Sequence, residues 1–177
     1  MNEGTLLRLY GPGWPGSRTA SGRFVVESTP DISPWVTLVT ADAHRVLPRD
    51  QVERAVWDAA VEQLATAPGS WVASGEGRLS ITSSLAAELI LDQKRLALAS
   101  TRLEASRLIA SVPLRGKITV MVDTDRHRAL LFAETRQSFD DARGDRVCRY
   151  PFIIQNGRTI GLVRDPPVEE KPWWKPW

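Results

Sequence analysis

Between residues 5 and 40, hydrophobic and polar positions alternate in short runs, the period of strands rather than helices. TLLRLY at 5–10, FVVE at 24–27 and WVTLVT at 35–40 are rich in β-branched and aromatic residues and bounded by Gly and Pro, which predicts three strands. In the third run Val36, Leu38 and Thr40 alternate with Trp35, Thr37 and Val39. Both sets are apolar enough for a strand covered on both sides. GPGWPGS at 11–17 is a turn, since Gly and Pro fix backbone angles that other residues avoid. The period then lengthens. Residues 48–66 place Val52, Val56, Ala59, Ala60 and Gln63 on one helical stripe, with Glu53, Arg54, Asp58 and Glu62 elsewhere. Asp50 and Glu53 have capping-box spacing, and Pro68-Gly69 ends the helix.

Trp71–Ala73 and Leu79–Ile81 read as short strands around a Gly75–Gly77 turn. Across 84–106, Leu85, Leu89, Leu96 and Leu103 recur at helical spacing, as one helix or as two divided at Asp92. LIASV at 108–112 and KITVMV at 117–122 flank Pro-Leu-Arg-Gly and predict a hairpin, followed by a helix over 125–142 carrying Leu130, Leu131 and Phe139. In YPFIIQNGRTIGLV at 150–163 two apolar runs flank Asn156-Gly157, the pair best suited to a two-residue hairpin turn. These elements predict one α+β domain over 1–164, a hairpin-rich, mainly antiparallel sheet covered by three or four helices. Residues 165–177, DPPVEEKPWWKPW, are too rich in proline for a helix or a central strand and predict an extended tail.

Composition narrows the function classes. The chain has 177 residues, 42% hydrophobic and 25% charged, in the range of a globular protein that needs no disulfide or metal to fold. The net charge of +2, with an acidic excess over 31–80 and a basic one over 101–149, argues against a nucleic-acid partner. One cysteine, the absence of a basic-then-apolar leader and the lack of a long apolar run predict a cytoplasmic protein that does not enter a membrane. The excess of Arg over Lys and the abundance of Ala suggest a bacterial, GC-rich source.

The order helix, IASVPLRGKITVMVD, helix, YPFIIQNGRTIGL resembles the carboxy-terminal region of the YtpQ-like family of bacterial proteins. The shared features are Val112-Pro113 at a turn between strands and Pro151-Phe152 followed by Asn156-Gly157; SPWVTLVTADAHRVLPRDQVERAVWDAAVEQL resembles the preceding strand and helix. The resemblance spans about residues 30–165, and what it implies is a fold, with no activity and no functional residue attached.

Candidate chemistry is sparse. Asp123-Thr124-Asp125 follows a strand, as carboxylates holding Mg²⁺ do in some phosphotransferases, but the favoured reading is that one of these side chains caps the helix that starts next. No G-x-x-x-x-G-K-[ST] loop accompanies them, and the Gly11–Gly16 run lacks a following helix pattern and reads as a turn. Asp42 with His44 and Asp125 with His127 would supply two imidazoles and two carboxylates for Zn²⁺ or Fe²⁺ if the fold brought them together. Cys148 stands among Arg143, Arg146 and Arg149, which either lower its pKa or simply surround a thiol entering a strand. Trp173, Trp174 and Trp177 are costly to leave in water and predict docking, on this chain or on another. The expectation is a non-catalytic binding or adaptor protein without a cofactor, acting on a protein partner or a second copy through its tail. The alternative is a small metal-dependent hydrolase or transferase using Asp123, Asp125 and His127.

Overall fold

The computed structural model describes residues 4–18, 20–42, 44–48, 52–75 and 77–164. Two antiparallel sheets share one hydrophobic core, where a single sheet was expected. The first has the order β1-β3-β2, with β1 (Thr5–Tyr10) and β2 (Gly22–Phe24) flanking β3 (Trp35–Thr40). As the alternation of WVTLVT implies, every β3 residue but Thr40 is buried. The expected strand at 24–27 is displaced to Gly22–Phe24. Val25 and Val26 turn away in a bend, and the Val26 N–H is taken by Ser33 Oγ at 2.8 Å.

The second sheet has the order β4-β5-β7-β6-β8-β9, built from β4 (Val72–Ala73), β5 (Arg78–Thr82), β6 (Arg107–Ser111), β7 (Lys117–Val122), β8 (Phe152–Gln155) and β9 (Arg158–Leu162). The β6–β7 and β8–β9 hairpins form where the turn chemistry placed them. At the second tip Asn156 and Gly157 have φ of 51° and 75°, the left-handed pair of a type I′ turn. Gly157 is needed twice over, because a Cβ there would also lie 2.7 Å from Gln93 O.

Among the described residues three α-helices cover these sheets: α1 (Arg54–Leu64), α2 (Gln93–Arg102) and α3 (Asp125–Asp141). The β5–α2–β6 and β7–α3–β8 connections each pass over one strand. Because β5 and β7 run in opposite directions, right-handed connections place α2 and α3 on opposite faces. The packing agrees. Leu79, Ile81, Leu108, Ala110, Ile118, Val120, Phe152 and Ile154 share a core with Leu96 and Ala99 of α2. Ile109, Met121 and Ile153, of opposite parity, meet Leu131 and Phe132 of α3.

Asp92 divides the 84–106 stretch. Its carboxylate caps α2 by accepting the Arg95 N–H at 3.1 Å, and only a short 3-10 turn, Glu88–Leu91, precedes it. The helix expected over 48–66 is shorter at both ends. Glu53 stands at its N-cap without a side-chain cap bond, and Asp50 lies outside the described residues. Its inward face is also rotated. Ala59 and Gln63 are exposed, while Trp57, Ala60, Val61 and Leu64 turn inward, because the large apolar residues set the packed side. Among the described residues no helix is long and apolar enough to cross a membrane.

Candidate functional site

The acidic triplet after β7 serves as a helix start. Thr124 Oγ1 accepts the His127 N–H at 3.2 Å, the N-cap bond of α3, with Asp125 in the first turn. Asp123 is clamped by two guanidinium groups, Arg107 Nε at 2.6 Å and Arg128 Nε and Nη2 at 2.5 and 2.8 Å. Burial alone would raise the Asp123 carboxyl, but the hydrogen bonds from Arg128 and Arg107 outweigh it and hold the group below its ordinary range. The His127 ring points its Nδ1 at Val122 O, 2.9 Å away.

Asp42 and His44 belong to the turn after β3, in the other sheet, with His44 exposed in a left-handed conformation (φ 49°). Among the described residues no three His, Cys, Asp or Glu side chains come together as metal ligands, so Asp42, His44, Asp125 and His127 do not assemble.

Cys148 is fully buried, and burial pushes its thiol up to about 12, the reverse of a lowered pKa. Two of the neighbouring arginines turn elsewhere: Arg149 pairs with Asp140 at 2.7 Å, and Arg146 donates to the carbonyls of Ala142 and Asp140. The Gly11–Gly16 run leaves β1 and enters a short 3-10 turn; two of its residues are prolines without N–H groups, and Trp14 stacks on Tyr10 at 4.2 Å. Trp173, Trp174 and Trp177 lie outside the described residues.

Two features escaped the sequence. The first is a buried joint between the sheets. Glu88 is fully buried; its Oε1 accepts the Leu9 N–H at 3.3 Å and Arg115 Nη1 at 3.2 Å, with Arg8 at 4.0 Å. Arg115 Nη2 reaches Leu9 O at 3.1 Å, so the two side chains satisfy both backbone groups of one β1 residue, as a neighbouring strand would. Oε2 has no partner, and desolvation outweighs the hydrogen bonds and the two arginines, raising the Glu88 pKa. Glu88 gave no warning because it reads as one more polar position in a helical stretch.

The second is an open groove of about 820 Å³ between β2 and α1. One wall is residues 21–23; the other is α1 and its lead-in, with Val52, Trp57 and Val61 half-buried. Arg23 lies over the Trp57 ring at 5.1 Å from its centroid, a cation–π contact. Exposed Glu53, Asp58 and Glu62 make the helix side acidic. Gly22 permits the close approach of β2 and β3, because a Cβ there would sit 2.6 Å from Trp35 Nε1. β2 is an edge strand. The Val25 N–H donates inward to Pro34 O at 3.0 Å, so the antiparallel alternation turns the N–H and C=O groups of Gly22 and Phe24 to the outer side. The signal in sequence was the breadth of the α1 stripe: Val52, Val56, Trp57 and Val61 are more apolar positions than the core covers.

Comparison of the chain with models of protein families, with curated proteins and with solved structures finds no match.

Proposed function

We propose that this chain is a non-catalytic protein-binding module that takes an extended polypeptide segment in the groove between β2 and α1. The observation that carries the reading is the pairing of a free strand edge with a half-buried apolar helix face across a groove. Main-chain hydrogen bonds to the edge supply affinity in such sites, and the helix side chains supply selectivity. The groups that looked most reactive in sequence support it from the other side. Asp123 and Cys148 are committed to ion pairs and to the core. A cytoplasmic setting and kinship with the YtpQ-like proteins, on the Val112-Pro113 and Asn156-Gly157 turns, belong to the same proposal.

The test is to pan a random peptide display library on the full chain, counter-selecting on Arg23→Glu/Trp57→Ala. Selected peptides are expected to bind the unaltered chain at least roughly tenfold more tightly, about 1.4 kcal/mol, and to slow amide exchange at Gly22 and Phe24. Peptides that bind both proteins equally, or that leave those amides unprotected, refute the reading.

A further inference from the structure

We infer that the exposed face of α2, with the pocket beside it, docks an acidic extended segment of another protein, in which two carboxylates flank one apolar side chain. The pocket measures about 350 Å³ and lies between α2 and the α1–β4 connection. It shares no lining residue with the groove at β2, so the two sites are separate. Lys94, Leu98 and Arg102 recur at every fourth position and form one stripe along α2. Leu98 is 53% exposed, whereas Leu96 of the same helix is buried in the core. A lone exposed leucine calls for no explanation. This one stands between two cations, beside a recess lined by the largely buried Trp71.

The hydrogen bonds around the recess set its chemistry. The Arg95 guanidinium donates to the carbonyls of Ala65, Ala67 and Gly69. Both Asp92 oxygens are engaged, Oδ1 by the Arg95 N–H at 3.1 Å and Oδ2 by Arg95 Nε at 3.3 Å. Arg102 Nη1 donates to Trp71 O at 2.6 Å, and the Trp71 indole donates to Arg95 O at 2.9 Å. These acceptors are taken, but donors remain. The Lys94 ammonium has no partner among the described residues, and no carboxylate there pairs with Arg102, which meets only a neutral carbonyl. Uncompensated positive charge selects an acidic partner over a basic one. Spacing sets its length. Lys94 and Arg102 are eight residues apart, roughly 12 Å along a helix. In an extended chain, side chains four residues apart lie on one side about 14 Å apart. Carboxylates at the first and fifth positions therefore reach both cations, and the third side chain falls on Leu98 and the recess. Two cations at a fixed spacing suit a polypeptide better than a membrane surface, which calls for clusters of about four or more basic residues.

The probe is the peptide Ser-Glu-Thr-Leu-Thr-Glu-Ser, added to the full chain up to millimolar concentration and followed by amide and indole N–H resonances. Shifts are expected at Ser70, Leu98 and the Trp71 indole. The probe should bind roughly tenfold more tightly than Ser-Lys-Thr-Leu-Thr-Lys-Ser, since each exposed ion pair contributes up to a few-fold and each like-charge contact opposes binding. It should also bind several-fold more tightly than Ser-Glu-Thr-Ser-Thr-Glu-Ser, which lacks the apolar side chain. Lys94→Glu and Leu98→Ser change exposed side chains that hold no bond in the fold, and each should weaken the acidic probe several-fold. Replacing one Glu of the probe by Lys should restore its binding to Lys94→Glu. Absence of binding at millimolar probe, equal binding of the Glu and Lys peptides, or indifference to both substitutions overturns the inference. Shifts confined to Gly22 and Phe24 also overturn it, because they assign the probe to the β2 groove and leave that reading standing. So does retention on phosphatidylserine vesicles that Lys94→Glu abolishes while the probe gives no shift, which would make the stripe a lipid contact.

Discussion

Replacing Arg115 with methionine tests the joint between the two sheets. The guanidinium bonds Glu88 Oε1 at 3.2 Å and Leu9 O at 3.1 Å, and methionine keeps most of the apolar stem while removing both bonds. Removing one partner of a buried pair costs about 3–5 kcal/mol when the remaining charge is left uncompensated. Two features reduce that figure here: Arg8 remains 4.0 Å from the carboxylate, and Glu88 can take up a proton. The expected loss is therefore about 2–4 kcal/mol near neutral pH. Burial holds Glu88 protonated to higher pH in the folded chain than its ordinary 4.5 in the unfolded one, so folding takes up a proton. Stability then falls as pH rises from 4.5 through the raised folded value. Methionine at 115 raises that value further, and the penalty is greatest at high pH. In acid, where Glu88 is neutral in both states, no charge is stranded, and what remains is the lost bond to Leu9 O with the contacts to Asp145 and Tyr10, about 1–2 kcal/mol. Urea unfolding of both proteins on either side of this window measures the difference. Arg115→Met/Glu88→Gln should regain most of the neutral-pH loss, since the amide carries no charge to strand. A loss of under about 1 kcal/mol at neutral pH, or an equal loss at both pH values, refutes the reasoning.

Gly157→Ala should destabilise the chain by about 1–3 kcal/mol, through a left-handed residue and a Cβ pressed on Gln93 O; thermal and urea melts measure it, and an unchanged midpoint would contradict the described turn packing. Asp123→Asn should cost about 1–3 kcal/mol, because two guanidinium groups lose a charged acceptor. The depressed Asp123 pKa means that this contribution is present above its ordinary value of 3.8 and lost as pH falls through the lowered folded one, so acid titration of both proteins should show the gap closing. Titration with Mg²⁺, Mn²⁺ or Zn²⁺ should give no heat that depends on Asp125, since the carboxylate beside it is already taken by arginine. Cys148 should resist a thiol-specific disulfide reagent in the native protein and react at once in denaturant; fast native labelling would show that the thiol is not held up at about 12.

Local chemistry determined much of this molecule. Asn156-Gly157 specifies its hairpin because two adjacent left-handed residues leave few alternatives. WVTLVT specifies a doubly covered strand, and Thr124 specifies the start of α3, since both depend on residues within one element. What the tertiary structure decided is everything that depends on which segments meet. Val26 leaves β2 because Ser33, across a bend, takes its N–H. α1 turns Trp57 rather than Ala59 inward because the shared core selects the larger apolar side chains. The two sheets are joined by Glu88 and Arg115 reaching a β1 residue far away in the chain, a pairing no periodicity encodes. Cys148 illustrates the difference most clearly. Its neighbours in sequence are arginines that would lower its pKa, but the fold turns Arg149 to Asp140 and Arg146 to Ala142 and places the cysteine in the hydrophobic core. Electrostatic environment follows distance in space, which becomes fixed only when the chain packs.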